Sequence, residues 1–219
     1  MEIKPVAVFR SPLKEKFGTP RQAGLAPSLR GEIVFGEGYS PGMLDGLQDF
    51  DYLWLVWGFD RNGSGGGAKV RPPRLGGNRK CGVYATRSPY RPNPLGLSSV
   101  RIESVDAAAG IIRVLGADLV DGTPIYDVKP YVVYADSHPE ARSGFVDEVP
   151  WEPLEVHFPS GTAPLEEGDA AGLREILSQD PRPRYQNDPE RIYGLAYKNF
   201  NVRFRVRERT LEVLSVEPV

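Results

Sequence analysis

Tyr52-Leu53-Trp54-Leu55-Val56-Trp57-Gly58-Phe59 is almost wholly aromatic, β-branched or leucine. A run this short and this apolar, ended by Asp60, reads as a β-strand buried on both faces. The pattern recurs on either side of it. Pro5 to Phe9 and Gly31 to Phe35 precede it as short apolar strands. Gly82 to Thr86, Ser98 to Val105, Ile111 to Ala117 and Ile125 to Val128 follow. Clusters of Gly, Pro, Asp or Asn separate these runs, and one short helix is expected near Met43, Leu44 and Leu47. Strands without intervening helices argue against a parallel doubly wound sheet. They favour a barrel or a sandwich, and closure into a barrel would remove the exposed edges.

A second unit follows a less ordered stretch from about Ser137 to Pro164. Leu173, Ile176 and Leu177 stand at helical spacing and end before Asp180-Pro181. A three-strand meander comes next. Tyr193, Leu195 and Tyr197 alternate, Lys198-Asn199-Phe200-Asn201 turns, and Val202, Phe204 and Val206 alternate against Arg203, Arg205 and Arg207. Leu211 to Val216 closes it. The apolar face of the middle strand is expected to pack on the helix. The arginine face then either grips RNA phosphates, through Arg203 and Arg205, or is solvated and paired with Glu208 and Glu212. The expected division is a barrel domain over 1–138, a linker or extension over 139–164 and a small α+β domain over 165–219.

The chain has 219 residues, of which 40% are apolar, enough for a sizeable core. A single cysteine, Cys81, rules out an internal disulfide framework. No apolar run approaches the roughly 20 residues that span a bilayer. The opening Met1-Glu2-Ile3-Lys4-Pro5 lacks the basic and apolar regions of a secretory signal, so a cytoplasmic location is expected. The formal net charge is −2, but its distribution is uneven. From Arg61 to Ile102 there is no Asp or Glu, while that stretch carries Arg61, Lys69, Arg71, Arg74, Arg79, Lys80, Arg87, Arg91 and Arg101. Such asymmetry points to a local anionic partner, against the plainer reading of an arginine-rich loop with scattered ion pairs.

Several common chemistries find no support. Gly63-Ser64-Gly65-Gly66-Gly67-Ala68-Lys69 lacks the Gly-Lys-Ser/Thr ending of a phosphate loop and reads as a flexible loop. No Gly-x-Gly-x-x-Gly follows a strand. His138 and His157 have no Cys or carboxylate at ligand spacing, so no metal is expected. Cys81 reads as a small buried hydrophobe, and no Gly-x-Ser-x-Gly elbow is present. What remains are rigid Pro-, Gly- and Arg-rich loops: Phe17 to Leu25, Arg71 to Asn78, Ala85 to Leu97 and Gly116 to Pro124. The last is a strand-turn-strand corner whose backbone N–H groups are expected to be available. Asp suits an ammonium or ribose hydroxyls, Arg a carboxylate, and backbone groups an adenine edge. Turn chemistry alone explains Asp121-Gly122-Thr123-Pro124 equally well.

Taken together, these segments resemble the TsaA-like family, also called TrmO. The likeness rests on Arg10-Ser11-Pro12, Glu15-Lys16-Phe17, Pro20-Arg21-Gln22-Ala23-Gly24-Leu25, Phe50-Asp51-Tyr52-Leu53-Trp54, Val70-Arg71-Pro72-Pro73-Arg74-Leu75-Gly76-Gly77-Asn78 and Gly82-Val83-Tyr84-Ala85-Thr86-Arg87-Ser88. It continues in Arg91-Pro92-Asn93-Pro94-Leu95-Gly96, Asp118-Leu119-Val120-Asp121-Gly122-Thr123-Pro124, Asp180-Pro181-Arg182-Pro183 and Asn201-Val202-Arg203-Phe204. The resemblance implies a mainly β fold, a single-sheeted, antiparallel-rich β-barrel with a small C-terminal α+β domain. It implies a methyltransferase that uses S-adenosyl-methionine to methylate N6 of threonylcarbamoyladenosine at position 37 of threonine-type tRNA, next to the anticodon. Carried over position by position, the cofactor contacts fall on Pro20, Arg21, Gln22, Arg87, Leu97, Asp121, Gly122, Thr123 and Pro124. A further pair after the long apolar strand, often His-Gln in the family, is Asp60-Arg61 here. Homodimers are typical of the family.

Methyl transfer from sulfonium to nitrogen is an in-line displacement that needs donor and acceptor aligned within about 3–3.5 Å. The N6 hydrogen needs an acceptor that keeps the lone pair from delocalising. Asn93, on the rigid Pro92-Asn93-Pro94 turn, is the candidate, and Tyr90 is placed to stack on the base. A turn-capping Asn is the alternative. Arg71, Arg74, Arg79 and Arg91 are the candidate cations for the substrate's carboxylate and phosphates. Competing with this is a non-catalytic RNA-binding barrel, or a methyltransferase with another acceptor.

Overall fold

The computed structural model describes residues 2–62, 66–75, 79–149, 152–159, 165–183, 186 and 188–219. Gly63 to Gly65 of the glycine-rich loop, Gly76-Gly77-Asn78 and the expected boundary at Pro164 lie outside them.

Along the first part of the chain run β1 (Ala7–Arg10), β2 (Arg30–Phe35), β3 (Tyr52–Gly58), the two-residue β4 (Lys69–Val70) and β5 (Cys81–Gly82), then β6 (Leu95–Asp106), β7 (Ile111–Leu115) and β8 (Pro124–Pro130). Six of these close into a barrel in the order β1-β2-β7-β6-β3-β8, and every neighbouring pair is antiparallel. The expected mainly β, antiparallel barrel is therefore observed. β4 and β5 pair only with each other. The helix expected near Met43 is two short 3-10 turns, Pro41–Leu44 and Leu47–Asp49.

β3 alternates, contrary to the reading of a strand buried on both faces. Leu53, Leu55 and Trp57 enter the core, while Tyr52 is exposed and Trp54 and Val56 are half-buried. The outer aromatics are half-covered because Tyr131 packs on Trp54 and Tyr52 and Asp136 accepts the Trp54 indole N–H at 3.0 Å. That Asp lies in the single-turn α1 (Val133–Asp136). The expected strand at Gly82 to Thr86 is a second departure. Only Cys81–Gly82 pairs, and Val83–Ala85 forms a 3-10 turn. Past Gly82 the Val83 N–H donates to the Ala68 carbonyl at 3.0 Å, and the Val83 carbonyl accepts both the Thr86 N–H, at 3.2 Å, and the Thr86 hydroxyl, at 2.9 Å.

Antiparallel order has a consequence for the site. Strand direction alternates around the barrel, so the connections 11–29, 59–94 and 116–123 all leave at one end. Residues 36–51 and 107–110 cap the other end. The interior is filled by Phe9, Ile33, Leu53, Leu55, Trp57, Val100, Ile112, Val114 and Ile125. At Gly96 a side chain would strike the Trp57 ring within 2.2 Å, so only glycine lets the indole lie against β6.

The remaining elements are the single-turn α2 (Phe145–Glu148), β9 (Glu155–His157), α3 (Glu167–Ser178), β10 (Tyr193–Tyr197), β11 (Phe200–Arg207) and β12 (Thr210–Pro218). The sheet order is β10-β11-β12-β9, with β9 parallel to β12. β9 lies inside the stretch read as a linker. Leu173, Ile176 and Leu177 of α3 pack on Val202, Phe204 and Val206, as the alternation in β11 predicts. This second core is not built from the C-terminal residues alone. Leu13, Ala26 and Leu29, with Phe17 against them, reach into it from the 11–29 connection. Ser28 donates to Glu175 of α3 from both its N–H, at 2.7 Å, and its hydroxyl, at 2.8 Å. The Lys198 N–H donates to the Pro12 carbonyl at 2.7 Å.

Candidate active site

The end of the barrel from which 11–29, 59–94 and 116–123 leave carries most of the residues singled out in the sequence. Arg87 donates to the Gln22 side-chain oxygen, tying the first connection to the second. Arg61 donates to the Lys14 carbonyl at 3.0 Å and to the Asp121 carbonyl, tying all three. Lys16 reaches Asn62 Oδ1 at 2.7 Å. Pro20 is buried, and Arg21 and Asp60 are exposed.

The Asp121-Gly122-Thr123-Pro124 corner differs from expectation in one respect. Its N–H groups are not available. Asp121 donates to the Leu13 carbonyl, Gly122 to Phe9 and Thr123 to Val120, at 2.8, 2.8 and 3.2 Å. The chain passes through the left-handed region at Gly122, φ +84°, beside the Arg61 guanidinium. The reason is topological: the corner closes β8 onto β1, and a barrel seam must satisfy its backbone groups within the protein. The Asp121 carboxylate accepts the Ser11 N–H and the Lys14 ammonium, both at 3.0 Å. Burial alone would raise its pKa, but these two partners more than offset that, and the carboxyl lies below its ordinary range. A carboxylate has about four lone-pair sites, so it retains capacity for a ligand.

Asn93 and Tyr90 lie on the exposed loop that enters β6. The Asn93 carbonyl accepts the Leu95 N–H at 2.7 Å, and the Pro94 carbonyl accepts the Phe59 N–H at 2.9 Å, so the turn is fixed to the barrel rim. Among the described residues the Asn93 side-chain amide has no hydrogen-bond partner. Tyr90 is 48% exposed. Leu97, 58% exposed, faces out of the barrel, on the opposite face of β6 from the buried Ser98.

The candidate RNA-binding arginines divide. Arg74 donates twice to the Val149 carbonyl, at 3.0 and 2.6 Å, and Arg79 pairs with Glu148 at 3.2 Å, so both hold the segment around α2. Arg205 pairs with Glu212 at 2.7 Å. Arg91 donates to the Thr86 carbonyl and lies 5.9 Å from the Tyr84 ring centre. Arg71 and Arg203 are exposed.

Sequence reading passed over Asp118, Ser98, Lys14, Lys16 and Tyr84. The lysines precede the Pro20 motif closely enough to have been noticed, and Tyr84, 76% exposed, stands out only once Gly82 to Thr86 is known not to be a barrel strand. An apolar groove at the other end of the barrel, lined by Tyr39, Met43, Leu44, Leu47 and Phe50, includes none of the candidate site residues. Among the described residues no three His, Cys, Asp or Glu side chains converge as a metal site, and no helix is long and apolar enough to cross a membrane.

Comparison with known proteins agrees with this architecture. Residues 8–137 match the family described as tRNA-methyltransferase O N-terminal domain, and residues 153–219 match the TrmO C-terminal domain. The chain is 39% identical to the tRNA (adenine(37)-N6)-methyltransferase of Escherichia coli K12, over 99% of this chain and 98% of that one. It is also 39% identical to a putative S-adenosylmethionine-dependent methyltransferase of Pseudomonas aeruginosa, over 98% and 96%. The crystal structure of TrmO from P. aeruginosa superposes with a TM-score of 0.82 at 33% identity, covering 100% of this chain and 97% of the other. With the closed barrel, the C-terminal sheet and both family segments in order, the chain belongs to the tRNA-methyltransferase O family.

Proposed function

We propose that this chain transfers a methyl group from S-adenosyl-methionine to N6 of adenosine 37 in tRNA, the position beside the anticodon, and that this adenosine already carries a threonylcarbamoyl group. The observation that carries the reading is the convergence of Gln22, Arg61, Arg87 and Asp121 from three separate connections at one barrel end, with the Asn93 amide, unpartnered among the described residues, on the loop that enters β6 from that end. The names of the relatives from E. coli and P. aeruginosa support both the reaction and the methyl donor.

The residues present fit the donor. Arg87 is an exposed guanidinium already held beside an amide oxygen, suited to a carboxylate end. Asp121 suits an ammonium or ribose hydroxyls, and Leu97 offers an apolar surface to a base. When bound, S-adenosyl-methionine supplies a methyl group on a positively charged sulfur. The protein's part is alignment and charge. Pro20, Arg21, Gln22, Arg87 and the Asp121–Pro124 corner would hold the donor, with Asp60-Arg61 at its edge. The Asn93 side-chain oxygen would accept an N6 hydrogen, leaving the nitrogen lone pair directed at the methyl carbon, and Tyr90 would stack on the base. Arg71 and Arg91 would meet the threonyl carboxylate and nearby phosphates, and Arg203 more distant ones. We further propose a homodimer in the cytoplasm, where tRNA is modified; the resemblance to a family of dimers supports the first.

The test is nucleoside mass spectrometry on tRNA carrying threonylcarbamoyladenosine, incubated with the purified protein and S-adenosyl-methionine. One added methyl on that nucleoside is expected. A protein that binds both ligands yet adds none would be a non-catalytic RNA-binding barrel. Methylation of unmodified adenosine 37 alone would remove the threonylcarbamoyl requirement.

A further inference from the structure

Asp118 touches neither donor nor acceptor in the proposed reaction, yet it stands where the three connections meet. Its Oδ1 accepts the Ser98 hydroxyl at 2.6 Å, and Ser98 Oγ accepts the Trp57 indole N–H at 3.0 Å. Ser98 and Trp57 are buried on the inner faces of β6 and β3. The Ala23 backbone N–H and the Arg87 charge both pull its pKa down. Ala23 directly follows Gln22, and Arg87 is the residue that donates to Gln22. The backbone around this point is closed tightly: Gly24 donates to the Gly116 carbonyl at 2.8 Å, and Gly116 to the Leu29 carbonyl at 2.9 Å.

A barrel rim needs no such group. Burial pushes the Asp118 carboxyl above its ordinary range, against the opposing pull of Ser98, two backbone N–H groups and Arg87. A well-packed apolar side chain would avoid that cost. A carboxylate kept in an unfavourable place, two residues from the Gly116 carbonyl that holds the Gly24 N–H, is accounted for by what it orients.

We infer that Asp118 is a positioning residue: anchored on Ser98 and Trp57 of the barrel wall, it keeps the Gln22–Gly24 segment, and through Gln22 the Arg87 guanidinium that donates to it, in one orientation toward the methyl donor. The inference rests on the reading of Gln22 and Arg87 as donor contacts. Asp118 itself acts through Arg87 rather than on the ligand.

The experiment is calorimetry with S-adenosyl-methionine, together with steady-state methylation, on the full-length protein and four variants: Asp118→Asn, Ser98→Ala, Arg87→Ala and Arg87→Ala with Asp118→Asn. Asparagine keeps the shape and one acceptor oxygen and removes the charge. Asp118→Asn should weaken binding on the order of 10-fold, the size expected for a charge-assisted hydrogen bond. KM for S-adenosyl-methionine should rise with it, while kcat at saturation changes less. Ser98→Ala should act in the same direction. The double variant should bind no more weakly than Arg87→Ala alone, because the two residues act in series. A general loosening of the rim would instead multiply the two effects, and that result overturns the inference, as does wild-type binding by Asp118→Asn. Melting curves accompany each variant. If Asp118→Asn does not fold, Ser98→Ala takes its place in the cycle with Arg87→Ala. Wild-type binding by Arg87→Ala would overturn the donor-site reading, and this inference with it; normal loss in Arg87→Ala with none in Asp118→Asn overturns this inference alone.

Discussion

Arg87 reaches Gln22 across 65 positions of sequence, and that contact makes its role testable apart from folding. It is exposed, so Arg87→Ala should leave the melting temperature within a degree or two while weakening S-adenosyl-methionine binding by about 1–3 kcal/mol. Calorimetry beside a thermal melt separates the two. Asn93→Ala should do the reverse of a binding mutation: donor affinity retained, methylation slowed by roughly 10²-fold or more. Near-normal turnover would leave Asn93 without a part in the chemistry. Asp121 is different again, because its carboxylate joins the barrel seam through Ser11 and Lys14. Its pKa is lowered in the fold. A lowered carboxylate contributes stability that is complete above the unfolded value, about 3.9, and is lost as pH falls through the folded value. The stability gap between wild type and Asp121→Asn, measured by urea unfolding, should therefore be widest near neutrality and narrow as pH falls below about 4. A gap that grows in acid would show that these partners do not hold the charged form. At this scale the site was largely legible. Arg87, Asp121 and Gln22 stand in unusual loop strings that nothing in core packing demands. Asp118 stands in one of those strings but does not stand out there, because its significance lies in Ser98 and Trp57, and nothing in sequence says those side chains point the same way.

The 11–29 connection is the element that links the two units. It presents Pro20, Arg21 and Gln22 to the site, while Leu13, Phe17, Ala26 and Leu29 enter the C-terminal core. Its hold on α3 is the Glu175 carboxylate, which takes both donors of Ser28. Glu175→Ala leaves a half-buried N–H and hydroxyl unpaired, at a cost of about 1–3 kcal/mol. The expected result is a lower melting temperature and weaker S-adenosyl-methionine binding, although Glu175 lies far from the site in sequence. Reduced stability with unchanged affinity would mean that the connection holds its shape from the barrel side alone. The strands of both units were legible because alternation and turn residues report local geometry. β11 is the clearest example, with its arginines outside and Val202, Phe204 and Val206 inside. The 11–29 connection was not legible as a shared element. Its apolar residues look like any loop's until the distant C-terminal strands are folded against them. The same limit explains Gly82 to Thr86, where apolar composition suggested a strand but the ladder with β4 reaches only Gly82.

At the scale of the whole molecule, a net charge of −2 must be reconciled with a polyanionic substrate. The acid-free stretch from Arg61 to Ile102 brings cations and no carboxylate of its own to the site end of the barrel, so local charge rather than net charge decides the encounter. The C-terminal sheet adds a second basic face. Arg203, Arg205 and Arg207 project from β11 on the side away from α3. Two of them are paired within the protein, Arg205 with Glu212 and Arg207 with Glu190, both at 2.7 Å. Exposed pairs of this kind contribute about 0–1 kcal/mol, so either arginine could exchange its carboxylate for a phosphate at little cost. Arg203 would need no exchange. If this face grips tRNA outside the anticodon loop, Arg203→Ala with Arg205→Ala weakens tRNA binding. It also lowers the slope of log affinity against log salt by roughly 0.7–0.9 for each phosphate no longer neutralised. S-adenosyl-methionine affinity stays unchanged, because neither residue is among those that converge at the site and Arg205 is paired with Glu212. The measurement is a salt titration of tRNA binding by both proteins. An unchanged slope would assign the grip to the barrel loops alone and leave the arginines as a solvated, internally paired face.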